Sequence, residues 1–130
     1  MGRLDPTDLP APARDFLAER HLATLTTARA DGTPQVTPVG FTYEPARRLA
    51  RVITFRSARK VANLAAGGHV ALCQVDGARW LTLEGHATVH DGAARVDEAV
   101  ARYAARYRTP GPRPDRVVIE IEVERVYGRP

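Results

Sequence analysis

Apolar and polar positions along the chain alternate with two periods, and together they predict six strands and three short helices. Residues 10–20 (PAPARDFLAER) read as a helix. Ala13, Phe16 and Leu17 share one face, and the prolines fall in or before the first turn, where no N–H is required. His21 to Ala28 alternates small apolar residues with threonine, which favours strands. Asp31-Gly32 then signals a hairpin turn. Gln35 to Tyr43 returns as a second strand with Gln35, Thr37, Val39, Phe41 and Tyr43 on one face. Pro34 and Pro38 have no N–H to give a ladder, so this strand is expected at a sheet edge or in a distorted ladder. Glu44-Pro45 turns the chain into a third strand, Leu49 to Phe55.

Ser57 is placed to cap a short helix, Ala58 to Ala65, which Gly67-Gly68 stops. His69 to Val75 and Arg79 to His90 form the next hairpin around Asp76-Gly77. In its second strand Leu81, Leu83, Gly85, Ala87 and Val89 face one way, and Trp80, Thr82, Glu84, His86 and Thr88 the other. Val96, Val100, Tyr103 and Tyr107 mark a helix over Ala93 to Tyr107. A proline-rich loop, Thr109 to Pro114, leads into the last strand, Arg116 to Tyr127, where Val117, Ile119, Ile121 and Val123 oppose Glu120, Glu122 and Glu124. The order α-βββ-α-ββ-α-β with tight turns predicts a mainly β (α+β) fold: a small six-stranded antiparallel barrel with short helices on its rim. One domain is expected over 1–130, with residues 1–9 a flexible N-terminus.

Composition adds three points. An apolar share of 44% supports a packed core. The single cysteine, Cys73, cannot form an internal disulfide, which fits a reducing compartment, and no signal peptide or membrane-length apolar run is present. A soluble cytoplasmic protein is expected. The net charge of +4 points to anionic partners without choosing among them. Nucleic acid is disfavoured, because only 6% of residues are aromatic and Phe41, Tyr43, Tyr103 and Tyr107 fall on predicted apolar faces.

The chemistry-bearing residues are sparse. No Walker or GxGxxG motif occurs, and the four histidines show no metal-ligand spacing with cysteine or acids, so no catalytic or metal residue is assigned. One segment stands out. Lys60 is the only lysine among 19 basic residues, and Ser57 and Asn63 are the only serine and asparagine. All three lie in Arg56-Ser57-Ala58-Arg59-Lys60-Val61-Ala62-Asn63, at a strand-to-helix junction. Arg56, Arg59, Lys60 and the free N–H groups of a helix start make a phosphate site; a basic surface helix with an ordinary serine cap accounts for the same residues equally well.

Four stretches carry a resemblance that covers nearly the whole chain. They are LATLTTARADGTPQVTPVGFTYE from Leu22, VITFRSARKVANL from Val52, VALCQVDGARWLTLEGHATV from Val70, and RYAARYRTPGPRPDRVVIEIEVERVYG from Arg102. In order and spacing they resemble the pyridoxamine-phosphate-oxidase-like split-barrel families. The last resembles an actinobacterial branch of deazaflavin (coenzyme F420)-dependent reductases that includes a biliverdin reductase. The resemblance implies a split β-barrel and a homodimer with two cofactor sites at its interface. It also implies a hydride transfer from reduced deazaflavin to a small conjugated acceptor, without a catalytic side chain.

Carried over by position, Lys60 and Asn63 match phosphate-side contacts, with Arg59 and Ser57 beside them. Thr54 matches a residue near the ring or ribityl chain. Gln35, Thr37, Pro38 and Val39 match the strand backing the ring. Trp80 matches a position that reaches the partner's site. FMN, which also carries a phosphate, is the alternative cofactor, as an oxidase or reductase. A split barrel that carries flavin or haem without turnover is the non-enzymatic alternative. The chain ends before the C-terminal substrate-binding extension of full pyridoxamine phosphate oxidases, which disfavours a role in vitamin B6 synthesis.

Overall fold

A computed structural model describes residues 2–130. Its strands are β1 (Arg3–Leu4), β2 (Ala23–Ala28), β3 (Pro34–Val39), β4 (Thr42–Glu44), β5 (Leu49–Phe55), β6 (Gly68–Asp76), β7 (Arg79–His90) and β8 (Arg116–Arg129). The helices are α1 (Ala11–Ala18), α2 (Arg59–Asn63) and α3 (Ala93–Arg106). All pairings are antiparallel, in the order β3-β2-β6-β7-β8-β5-β4, with β1 added against β8. The fold is therefore the expected mainly β split barrel, with eight strands instead of six and an unclosed sheet.

The two extra strands have separate causes. The stretch expected as one strand from Gln35 to Tyr43 breaks at Gly40-Phe41. Its first half pairs with β2 and its second with β5, at opposite ends of the sheet. The chain thus crosses the split of the barrel at that point. Arg106 and Tyr107 hold the crossing: Arg106 Nη1 donates to the Phe41 carbonyl at 2.6 Å, and the Phe41 N–H donates to the Tyr107 hydroxyl at 3.2 Å. A Cβ at position 40 would lie 2.8 Å from the Tyr103 ring, so any larger residue there requires that ring to move.

Within residues 1–9, expected as a flexible N-terminus, a short strand forms and one side chain is buried. Arg3 and Leu4 pair with Tyr127 and Val126, and Leu9 is buried in the core. Ser57 does not cap α2. The cap position is Ala58, without a side-chain bond, because a turn closed by the Ala58 N–H on the Phe55 carbonyl delays the helix by a residue. Pro34 and Pro38 do fall on an edge strand, where a missing donor costs nothing.

The core lies inside the curved sheet and under α1. Phe16 of α1 and Phe41 of the crossing pack against Leu25, Leu72, Leu83 and Ile121, all essentially without solvent exposure. Burial of each such side chain contributes roughly 1.5–3 kcal/mol. The inward phase of β8 changes along its length. Ile119, Ile121 and Val123 point inward, and then Val126 does so, one residue out of step. A bulge opposite Glu84 and Gly85 absorbs the shift. Gly85 permits it, because a Cβ there would come within 2.0 Å of the Glu122 carbonyl oxygen.

Candidate functional site

Three segments converge where the barrel is split. β3 and the crossing bring Pro38, Val39 and Gly40; the end of β5 brings Ile53, Thr54 and Phe55; α2 brings Lys60. Tyr103 of α3, Pro110 and Arg113 of the following loop, and Arg116 at the start of β8 complete a cleft of about 300 Å³. Pro38, Val39, Ile53 and Phe55 give it apolar surface, and no carboxylate lines it. Three cations do: Lys60, Arg113 and Arg116.

Lys60 is half-buried, and burial holds its ammonium below the usual lysine range. It has no ion-pair or hydrogen-bond partner among the described residues. An unpaired, partly desolvated cation in a concave site is poised to gain from an incoming anion.

Beside the cleft, Asn63 ties α2 to the first hairpin. Its Nδ2 donates to Thr27 Oγ1 and to Gln35 Oε1, both at 3.0 Å. Between Gln35 and Val39 on the same strand face, the Thr37 hydroxyl is buried without a hydrogen-bond partner. Leaving such a group unpaired costs about 1–3 kcal/mol, which a polar atom of a ligand would relieve.

The structure sorts the expected residues accordingly. Pro38, Val39, Thr54 and Lys60 line the cleft together. Gln35, Thr37 and Asn63 do not line it: Asn63 is bonded to Gln35 and Thr27, so its amide nitrogen is already engaged with protein. Arg59 turns away from Lys60. With Asn63, Arg29 and Asp31 it lines a separate depression, of about 380 Å³, beside the first hairpin turn. Ser57 is exposed in the turn before α2. Trp80 pairs in register with Arg129, whereas Thr54 pairs with Val117, so the two lie near opposite ends of β8, roughly 40 Å apart along an extended strand. Within one chain Trp80 does not reach the cleft.

Sequence reasoning missed Tyr103, Arg113 and Arg116. Two are among 18 arginines and carry no distinguishing signal; the third sat on what read as a core-facing helix stripe.

Two other features compete poorly. A depression of about 490 Å³ is lined by Glu84 and Glu124 with Arg125 and His69 set against them, so it offers an anionic ligand no unpaired cation. Glu19, His21 and Asp76 come close enough for a metal ion. Arg79 already occupies that place, however, with both its terminal nitrogens at 2.8 Å from the Glu19 carboxylate and Nη2 at 2.5 Å from Asp76.

Residues 9–129 match the pyridoxamine 5'-phosphate oxidase family. The chain belongs to that family. Among proteins of this family, it is 54% identical over 122 residues to the F420H(2)-dependent biliverdin reductase of Mycobacterium tuberculosis (strain CDC 1551 / Oshkosh), covering 94% of this chain and 89% of the relative. A solved structure described as an F420 reductase superposes with a TM-score of 0.68 at 25% identity, covering 92% of this chain and 98% of the other. A conserved hypothetical protein of Mycobacterium tuberculosis superposes with a TM-score of 0.80 at 21% identity, covering 99% and 89%, and shows the fold alone.

Proposed function

We propose that this protein is a coenzyme F420-dependent reductase that passes a hydride to a planar conjugated acceptor of the biliverdin class. The observation that carries the reading is the 54% identity, across 94% of the chain, to a reductase named for that cofactor and that acceptor. The cleft fits such a cofactor on its own chemistry, with an unpaired cation for a phosphate and apolar side chains for a flat ring; the unsatisfied Thr37 hydroxyl lies on the strand that supplies Pro38 and Val39.

When bound in its reduced form, F420 supplies the hydride from the central carbon of its ring. The protein's part is placement. Lys60 holds the phosphate as a point charge. Val39, Ile53 and Phe55 wall the ring, and Asn63 fixes α2 so that Lys60 keeps its position. Holding the donor against the acceptor would lower the barrier to hydride transfer, and the proton that completes the reduction would come from solvent at the open side of the cleft.

The working unit in this reading is a homodimer. Its support is an apolar row on the outer face. Trp80 faces Val75 in register, and Leu22 precedes Ala23, the partner of Gln74. Leu22 and Val75 are 60% and 57% exposed. A second copy covering this row would bring Trp80 toward the partner's cleft. No helix among the described residues is long and apolar enough to cross a membrane.

Titration of the purified protein with F420 and with FMN, followed by fluorescence, tests the assignment, with biliverdin reduction measured next. Tighter binding of F420 and turnover support it. Tighter binding of FMN moves the protein to the flavin branch, and binding without turnover of any acceptor makes it a carrier.

A further inference from the structure

The phosphate reading uses Lys60 and leaves the loop side of the cleft unexplained. Arg113 there is held on two sides. Its guanidinium carbon lies 4.1 Å from the centre of the Phe55 ring, a stacking distance, and its Nε donates to Asp115 Oδ1 at 2.8 Å. Both terminal nitrogens remain without a partner among the described residues, and the side chain is 46% exposed. Arg116, in register opposite Phe55, fixes the same loop by donating from Nη2 to the Gly111 carbonyl at 2.7 Å. Arg113 is thus a planar fork, fixed in tilt by Phe55 and in rotation by Asp115, with two parallel donors free.

Resting on the reductase reading above, we propose that Arg113 is a specificity-determining residue that binds a carboxylate of the molecule held in the cleft through its two terminal nitrogens. Two parallel N–H donors match the two oxygens of a carboxylate, and ordering before binding reduces the entropy lost on contact. The locus is distinct from Lys60: one presents a fork from the loop, the other a point charge from α2. A conjugated acceptor with acidic side arms meets both requirements of this wall, since Phe55 offers an apolar face beside the fork. The carboxylate can come from the acceptor or from the glutamyl tail of the cofactor, and the experiment separates the two.

The test compares wild type, Arg113→Ala, Arg113→Lys and Phe55→Leu. Each is assayed with biliverdin, a dicarboxylate, and with its dimethyl ester, and F420 affinity is measured separately by fluorescence. With an acceptor carboxylate at the site, Arg113→Ala raises KM for biliverdin about tenfold or more, as expected for a lost charge-assisted pair. It leaves kcat and F420 affinity near wild type and changes nothing for the ester. Arg113→Lys recovers only part of the loss, and Phe55→Leu, which keeps the charge but removes the ring, gives a smaller rise when assayed at saturating F420, since Phe55 also walls the cofactor ring.

If the loss falls instead on F420 affinity and vanishes with a cofactor fragment lacking glutamate, the site holds the cofactor's tail and the assignment of a carboxylate stands. Equal losses on diacid and ester, or no loss in either binding assay, overturn the proposal. Failure of the wild-type protein to bind F420 at all overturns the reductase reading itself, and is seen before any variant is compared.

Discussion

Replacing Lys60 by methionine separates the cost of this side chain to the fold from its value to the site. The ammonium is half-buried, unpaired among the described residues, and held below the usual lysine range by burial alone. In the free protein its charge therefore opposes folding slightly. A charge-assisted bond to a phosphate contributes about 1.5–3 kcal/mol. At about 1.4 kcal/mol per tenfold, losing it weakens the cofactor by roughly 10- to 150-fold.

Methionine keeps the length and the apolar stem. The unfolding free energy should then change by no more than about 0.5 kcal/mol, as for other substitutions at partly exposed positions. The pH dependence follows from the same shift. Lys60 has a depressed folded-state pKa, so its stability penalty is present at neutral pH and is relieved as pH rises through that pKa, while cofactor affinity falls over the same range. The methionine variant should lack the Lys60 contribution to both trends. Fluorescence titration at pH 7 and 10, with urea unfolding of the apo-protein, gives both quantities. An unchanged Kd at pH 7 would refute the placement of the phosphate at Lys60. A loss of several kcal/mol in stability would refute the claim that Lys60 is there for the ligand.

Other expectations follow from the same contacts. Asn63→Ala removes the two bonds that tie α2 to the first hairpin, and should cost about 1–2 kcal/mol by urea unfolding and also weaken cofactor binding; normal affinity would show that α2 is positioned by other contacts. Arg106→Ala leaves the carbonyls of Glu19 and Phe41 and the buried Gln74 side chain without this donor, and should destabilise by about 3 kcal/mol or more, read as a fall in the urea midpoint. Gly85→Ala forces a Cβ into the Glu122 carbonyl at the bulge and should cost at least about 1–3 kcal/mol in the same assay. Hydrogen bonds from Arg79 and then His21 hold the Glu19 carboxyl at about 2, below its ordinary 4.5. Its folded-state pKa is depressed, so its contribution to stability is present above about 4.5 and is lost as pH falls toward about 2. Glu19→Gln should flatten the acid limb of the stability profile in that window, and an unchanged acid limb would show that the pair contributes nothing measurable.

The sequence by itself determined what depends on local chemistry. Period-two alternation with glycine turns placed the hairpins, because side chains in a strand must face alternately into core and solvent. Edge prolines located β3, because a missing N–H is tolerated only there. The lone lysine stood out because every other basic residue is arginine, and it does line the cleft.

Tertiary structure decided the rest. The break at Gly40-Phe41 was not legible, since Val39, Phe41 and Tyr43 keep a single alternation while their partners change from β2 to β5. The phase shift on β8 depends on a bulge set by close approach to Gly85, a contact between distant residues. Ser57 lost its predicted capping role to the turn before it, and Arg59 and Lys60, adjacent in the chain, turned to different cavities because side chains one apart on a helix point in different directions. Arg113 and Arg116 became site residues only when the loop after α3 folded over the end of β5. Nothing local marks a guanidinium whose partners are a ring and a cleft brought together by the fold.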